Sequence, residues 1–172
     1  MSKNQKKESE IKHRMVHDFL VKNFPCCEVK YDGVEGLDHQ IIFNGHTTWL
    51  ETKSCKKIIL AGLDKKRMKE NDEPRIFNHL KLGQFKFDQR NVYPYSQNQE
   101  DNGSQHQNLI DLNGWYVFVV GHRIIAGIPA KKLDEIQIGG TWEMKRVVWA
   151  HILRHCHPDW LKYLKMQVYE II

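Results

Sequence analysis

The chain has 172 residues, 41% of them hydrophobic, and carries a formal charge of +5 from 26 Lys and Arg against 21 Asp and Glu. That size and apolar content suit one soluble globular domain over residues 1–172, and the positive excess favours a polyanionic partner, because neutralised phosphates release counterions. No apolar run approaches a membrane span, the first residues are polar and lysine-rich, and the four cysteines lack the spacing of a secreted disulfide framework, so an intracellular, cytoplasmic protein with reduced thiols and no membrane partner is expected.

In chain order, residues 6–23 predict a helix, with Ile11, Met15, Val16, Phe19 and Leu20 forming a stripe at helical spacing; Pro25 ends it. Cys26 to Tyr31 reads as a first strand, and Asp32-Gly33 with Gly36 marks the turn that follows. Next comes a hairpin. Asn44-Gly45 lies between two apolar runs, and this dipeptide favours a two-residue type I′ turn, in which both central residues take positive φ. The turn fixes the register: Phe43 opposite His46, Ile42 opposite Thr47, Ile41 opposite Thr48, Gln40 opposite Trp49, His39 opposite Leu50, and Asp38 opposite Glu51. Two acids directly opposed repel unless something positive lies between them. Alternation places Lys53 on the same face as Glu51. Two carboxylates and an ammonium at a sheet edge describe a metal-dependent hydrolytic site, with Asp38 and Glu51 as hard oxygen ligands for Mg²⁺.

After Lys53 the chain is basic and irregular to about residue 74, and Lys56-Lys57, Lys65-Lys66-Arg67, Lys81, Lys86 and Arg90 gather downstream of the acids as a surface suited to phosphates. A helix or helical turn is placed near residues 82–90, although Phe85 and Phe87 alternate as in a strand. Residues 96–108 hold no large apolar side chain and predict a mobile loop. Trp115 to Val120 and Arg123 to Ile128 predict two strands turned at Gly121-His122, with Pro129 ending the second and Ala130 to Leu133 starting a short helix. Residues 141–155 and those from Pro158 onward read as two helices, or a helix followed by a strand. The five tryptophans are expected in the core or an interface rather than as base-stacking platforms. His151, His155, His157 and Cys156, with Cys26-Cys27 as thiolate donors, invite a zinc assignment, but their spacing fits no strong zinc template and a partly buried basic helix face is the expectation.

Asp38 followed by Glu51-Thr52-Lys53 at the end of an apolar strand resembles the PD-(D/E)XK nuclease superfamily, which includes restriction endonucleases and archaeal-type Holliday junction resolvases. The core motif runs from about Cys26 to Lys57, and Gly36-Leu37 stand before Asp38 where the family name expects a proline. The resemblance implies an α/β fold with a restriction-endonuclease-like central mixed sheet flanked by helices, here with extra C-terminal helices. It implies Mg²⁺ held by Asp38, Glu51 and the carbonyl of Thr52, with Lys53 positioning or deprotonating the attacking water. Family members often add an acid from the first helix, for which Glu8 fits the inward stripe and Glu10 points elsewhere. Resolvase-like members also carry a glutamine on the helix after the strand, for which Gln84 is the match and Gln89 the reserve. The implied activity is hydrolysis of DNA phosphodiester bonds by a homodimer, as a small type II restriction-type enzyme, with a structure-specific resolvase or repair nuclease and a non-catalytic nucleic-acid-binding module of the same fold as alternatives.

Overall fold

The computed structural model describes residues 3–31, 37–55, 59–60, 80–81, 84–88, 105–133, 135, 139–141, 144–148 and 154–170. Helix α1 (Lys3–Asn23) is followed by strands β1 (Glu28–Tyr31), β2 (His39–Phe43) and β3 (His46–Cys55). Short strands β4 (Ile59–Leu60), β5 (Leu80–Lys81) and β6 (Gln84–Asp88) precede helix α2 (Gln105–Asp111). Strands β7 (Trp115–Val120) and β8 (Arg123–Pro129), helix α3 (Ala130–Leu133), strands β9 (Gly139–Thr141) and β10 (Met144–Val148) and helix α4 (Trp160–Val168) complete the order.

The main sheet is five-stranded, ordered β1-β2-β3-β7-β8. It is mixed, because β3 and β7 run parallel while its other pairs are antiparallel. The hairpin forms as its turn dictates: Asn44 (φ 48°) and Gly45 (φ 82°) both lie in the left-handed region, and the ladder joins Phe43 to His46 and His39 to Leu50. Strand β2 ends there. Strand β3 continues, paired with β7 from Leu50 to Cys55, so Glu51 to Cys55 extend past the end of β2 and have no strand partner on that side among the described residues.

Helices cover both faces. On one, Val16, Leu20 and Phe24 of α1 and Leu164 and Val168 of α4 pack on Ile41, Leu50, Trp115, Val117 and Val119. On the other, Leu109 of α2 and Ala130 and Leu133 of α3 pack with Tyr116, Phe118, Ala126 and Ile128, joined by Leu37. Burial on both faces explains why β7 is an unbroken apolar run rather than an alternating one. Trp160 anchors α4 against β8 at Gly127, where any Cβ would run into the indole ring. A second tie runs from Trp115 Nε1, which donates to Gln167 Oε1 at 2.7 Å, while Gln167 Nε2 donates to the carbonyl of Asn113 at 2.8 Å.

Several expectations are corrected. Ile11 is 47% exposed, and the buried line of α1 is instead Lys12, Val16 and Leu20 at i, i+4 spacing, with Met15 and Phe19 flanking it. Cys26 and Cys27 lie in the turn before β1. The helix expected over residues 82–90 is strand β6, in which alternating Phe85 and Phe87 pair with Val147 and Lys145 of β10. The same pairing makes residues 144–148, read as helical, a strand; their β-branched pair Val147-Val148 suits it. The polar loop expected over 96–108 ends earlier, because Gln105 to Asn108 belong to α2, which Leu109 and His106 tie into the core; residues 96–104 lie outside the described residues. So do Lys56-Lys57, Lys65 to Arg67, Arg90, Gln89, His151, Trp142 and Trp149. Among the described residues one C-terminal helix of more than one turn is present, and no helix is long and apolar enough to cross a membrane.

Candidate metal and catalytic site

The projecting end of β3 gathers the site. Asp38, the residue before β2, is tied to it by the backbone N–H of Thr52, which donates to Asp38 Oδ2 at 2.8 Å. That bond takes one of the backbone donors of β3 beyond the end of β2 and fixes where the carboxylate sits. Glu51 and Lys53 share a strand face, as alternation requires, and Lys53 Nζ donates to Glu51 Oε1 at 2.7 Å. This is the face on which neighbouring β7 presents Tyr116 and Phe118, the register partners of Glu51 and Lys53.

The electrostatics are those of a site under charge stress. Glu51 is 4% exposed, and burial pushes its pKa up to about 7, with Lys53 opposing and Asp38 reinforcing the rise. Burial likewise raises Asp38 to about 6 against the opposing N–H of Thr52 and the charge of Lys53. Two carboxyl groups that both resist ionisation, at one strand end, behave as a coupled pair.

Glu51 Oε2 is buried and accepts no hydrogen bond from the described residues. A buried acceptor without a donor costs free energy that a cation can recover, so the donor set fits a hard divalent ion. Asp38 and Glu51 would hold it. Among the described residues no three His, Cys, Asp or Glu side chains are arranged to hold a metal by themselves. The fit is therefore to an ion such as Mg²⁺, which is ordinarily bound by one or two carboxylates with water and substrate phosphate completing its shell.

The structure adds histidines that the sequence reading passed over. His13 of α1 brings Nδ1 to 3.8 Å from Asp38 Oδ2. Its ring stacks on Tyr31 at 4.9 Å, and His39, fully buried, lies 5.0 Å from Tyr31, 6.1 Å from His13 and 6.0 Å from His17. Burial, then the charges of His13 and His17, lower His39 to about 4, so the ring is neutral at physiological pH. The spacing of His13 and His17, one turn apart, and the adjacency of His39 to Asp38 are the signals the sequence holds for them. Of the C-terminal histidines, His155 is exposed and His157 accepts the N–H of Asp159 on Nδ1 at 3.0 Å. Cys156 packs on the α2 side of the sheet and Cys27 on the α1 side, so they do not converge.

Glu8 is half-buried on α1, five residues before His13, and Glu10 is exposed. Gln84 stands on β6, paired with Val148, and not on a helix following β3. No family model, no curated protein and no solved structure matches the chain.

Proposed function

We propose that this chain is a Mg²⁺-dependent nuclease that hydrolyses DNA phosphodiester bonds, with the sheet arrangement of a restriction endonuclease. The observation that carries the reading is the convergence on one projecting strand end of Asp38, held by Thr52 N–H, with the Glu51–Lys53 pair, whose Glu51 Oε2 meets no donor among the described residues. A divalent ion bound there supplies a Lewis acid for the scissile phosphate and acidifies water. The protein's own share follows from its geometry. Asp38 and Glu51 provide negative oxygens preset by a backbone bond and an ion pair, and the Thr52 carbonyl adds a neutral donor. Lys53, 17% exposed in its side chain, presents an ammonium group two residues from the buried acid. From there it orients the attacking water and offsets charge that builds on the phosphate oxygens. Strand β3 is held against buried β7, so these groups sit on a rigid element rather than a loop.

The formal charge of +5 supports a polyanionic substrate. Cutting both strands of a duplex at once calls for two such sites, which a homodimer would supply, and the favoured role is that of a small restriction-type enzyme. The test is incubation of a plasmid and a four-way-junction DNA with wild type and Lys53→Ala, with and without Mg²⁺. Discrete plasmid fragments formed by wild type only with the ion support the restriction role, and cutting confined to the junction transfers the reading to a resolvase. Binding without cutting by the wild type would leave a non-catalytic module; equal cutting by the variant would remove Lys53 from the chemistry.

A further inference from the structure

Lys12 occupies a position on α1 where an apolar residue is due. It heads the buried line that continues with Val16 and Leu20, it is only 8% exposed, and its ammonium donates to Ser54 Oγ at 3.3 Å. The ion pairs of the described residues join other groups, and no carboxylate among them lies within ion-pair distance of Lys12. The contact is only part-buried, because Ser54 is exposed, so a buried stem carries the ammonium to the rim of the strand end, where N–H donors not used by Ser54 remain for other acceptors.

Its location says what the charge is for. Ser54 follows Lys53 on the same projecting end of β3, so Lys12 reaches the site from the strand face opposite Glu51 and Lys53. The next residue of α1, His13, approaches Asp38. One helical segment thus touches both the acid and the strand end, beyond the last rung of the β2–β3 ladder. Ser54, exposed and accepting from Lys12, keeps its own hydroxyl proton for an outside acceptor. An ammonium and a hydroxyl side by side match the oxygens of a phosphate.

We infer that Lys12 and Ser54 form a phosphate subsite that binds a backbone phosphate of the nucleic-acid strand beside the one being cut. The inference rests on the nuclease reading and deepens it. Lys53 is already matched to Glu51, so Lys12 supplies a positive charge that no carboxylate among the described residues pairs. It binds substrate and takes no part in bond breaking.

The test uses the full chain and a fluorescein-labelled duplex in EDTA, with affinity followed by anisotropy across a salt series, for wild type, Lys12→Met and Lys12→Arg. Lys12→Met keeps the stem and removes the charge. It is expected to weaken binding about tenfold, and to reduce the slope of log affinity against log salt by about 0.9, the signature of one lost phosphate contact. Lys12→Arg restores both. Thermal melting separates this from a structural role: Lys12→Met keeps the apolar stem and melts at or above the wild-type temperature, whereas a lysine whose bond to Ser54 holds the fold would leave the variant less stable. Wild type that binds and later cuts, with an unchanged salt slope in Lys12→Met, overturns the subsite and leaves the nuclease standing. Wild type that neither binds nor cuts any nucleic acid overturns both.

Discussion

Replacing Glu51 by glutamine removes a charge without changing shape. In the folded chain Oε1 receives Lys53 at 2.7 Å and Oε2 receives nothing from the described residues, so an amide keeps the acceptor that is used, gives up the ionisation that burial opposes, and sets an NH2 group in the place of Oε2. The carboxyl is raised from its ordinary 4.5 to about 7, which corresponds to up to about 3 kcal/mol of preference for the protonated form. A raised folded-state pKa contributes stability that is complete below the unfolded value, near 4.5, and lost as pH rises through about 7. Wild type in EDTA therefore weakens between pH 5 and pH 8 in a way that Glu51→Gln does not. At pH 8 the variant is more stable by up to about 3 kcal/mol, or about 6 to 12 °C in Tm for a chain of this size, and near pH 5 the two converge. Mg²⁺ at pH 8 restores the wild type by binding the folded state and leaves the variant unmoved. Calorimetric melts at pH 5 and pH 8, with EDTA or Mg²⁺, read all four quantities. A variant less stable than wild type at pH 8 in EDTA, or one that Mg²⁺ stabilises equally, would refute the argument that Glu51 is a strained acid awaiting a cation.

Other consequences are independent of one another. Lys53→Met is expected to lower the rate of metal-dependent cleavage by about 10² to 10³, the usual worth of one group aimed at developing charge, with substrate affinity changed far less; single-turnover kinetics separate the two. His39, lowered to about 4, is neutral in the fold, so it favours the folded state above its unfolded value near 6.5 and that contribution is lost as pH falls toward 4. His39→Phe should flatten acid unfolding over that window, and an unchanged acid limb would show that burial of the ring is not what shifts it. Gly127→Ala forces a methyl group into the ring of Trp160 and should cost about 1 to 3 kcal/mol by urea unfolding. Gly45→Ala meets open space but a φ of 82°, so about 1 to 2 kcal/mol comes from backbone conformation alone; a neutral result would mean the turn is not held in its I′ form.

The hairpin was legible because its information is local. Asn44-Gly45 determines the turn, the turn determines the register, and the register brings Asp38 to the strand end that carries Glu51. Strands β7 and β8 were legible as well, their apolar runs being bounded by Gly121-His122 and Pro129. Where pairing is between distant segments, local signals are weaker. Residues 84–88 and 144–148 become strands by pairing with each other across more than fifty residues, a contact no local pattern announces. The helix expected there was also the support for Gln84, which consequently stands on a strand. Residue 105 begins a helix inside a polar stretch because Leu109 and His106, on one side of the turn, find the core. In the site itself, carboxylates and lysine were readable from strand alternation, whereas His13 and Lys12 were not. Their places depend on how α1 is rotated over β3, and the apolar stripe suggested a rotation that exposes Lys12 and buries Ile11, the reverse of what is found.

In the proposed nuclease, Asp38, Glu51 and Lys53 act together to cut a phosphodiester chain with the help of a divalent ion. The most direct measurement is conversion of supercoiled plasmid to nicked and linear forms by purified wild type and Asp38→Asn, started by Mg²⁺ and stopped by EDTA. Cutting by the wild type that begins with the ion, ceases with the chelator and is absent from a folded Asp38→Asn is the expected result. Cutting that continues in EDTA, or that persists undiminished in the variant, contradicts it.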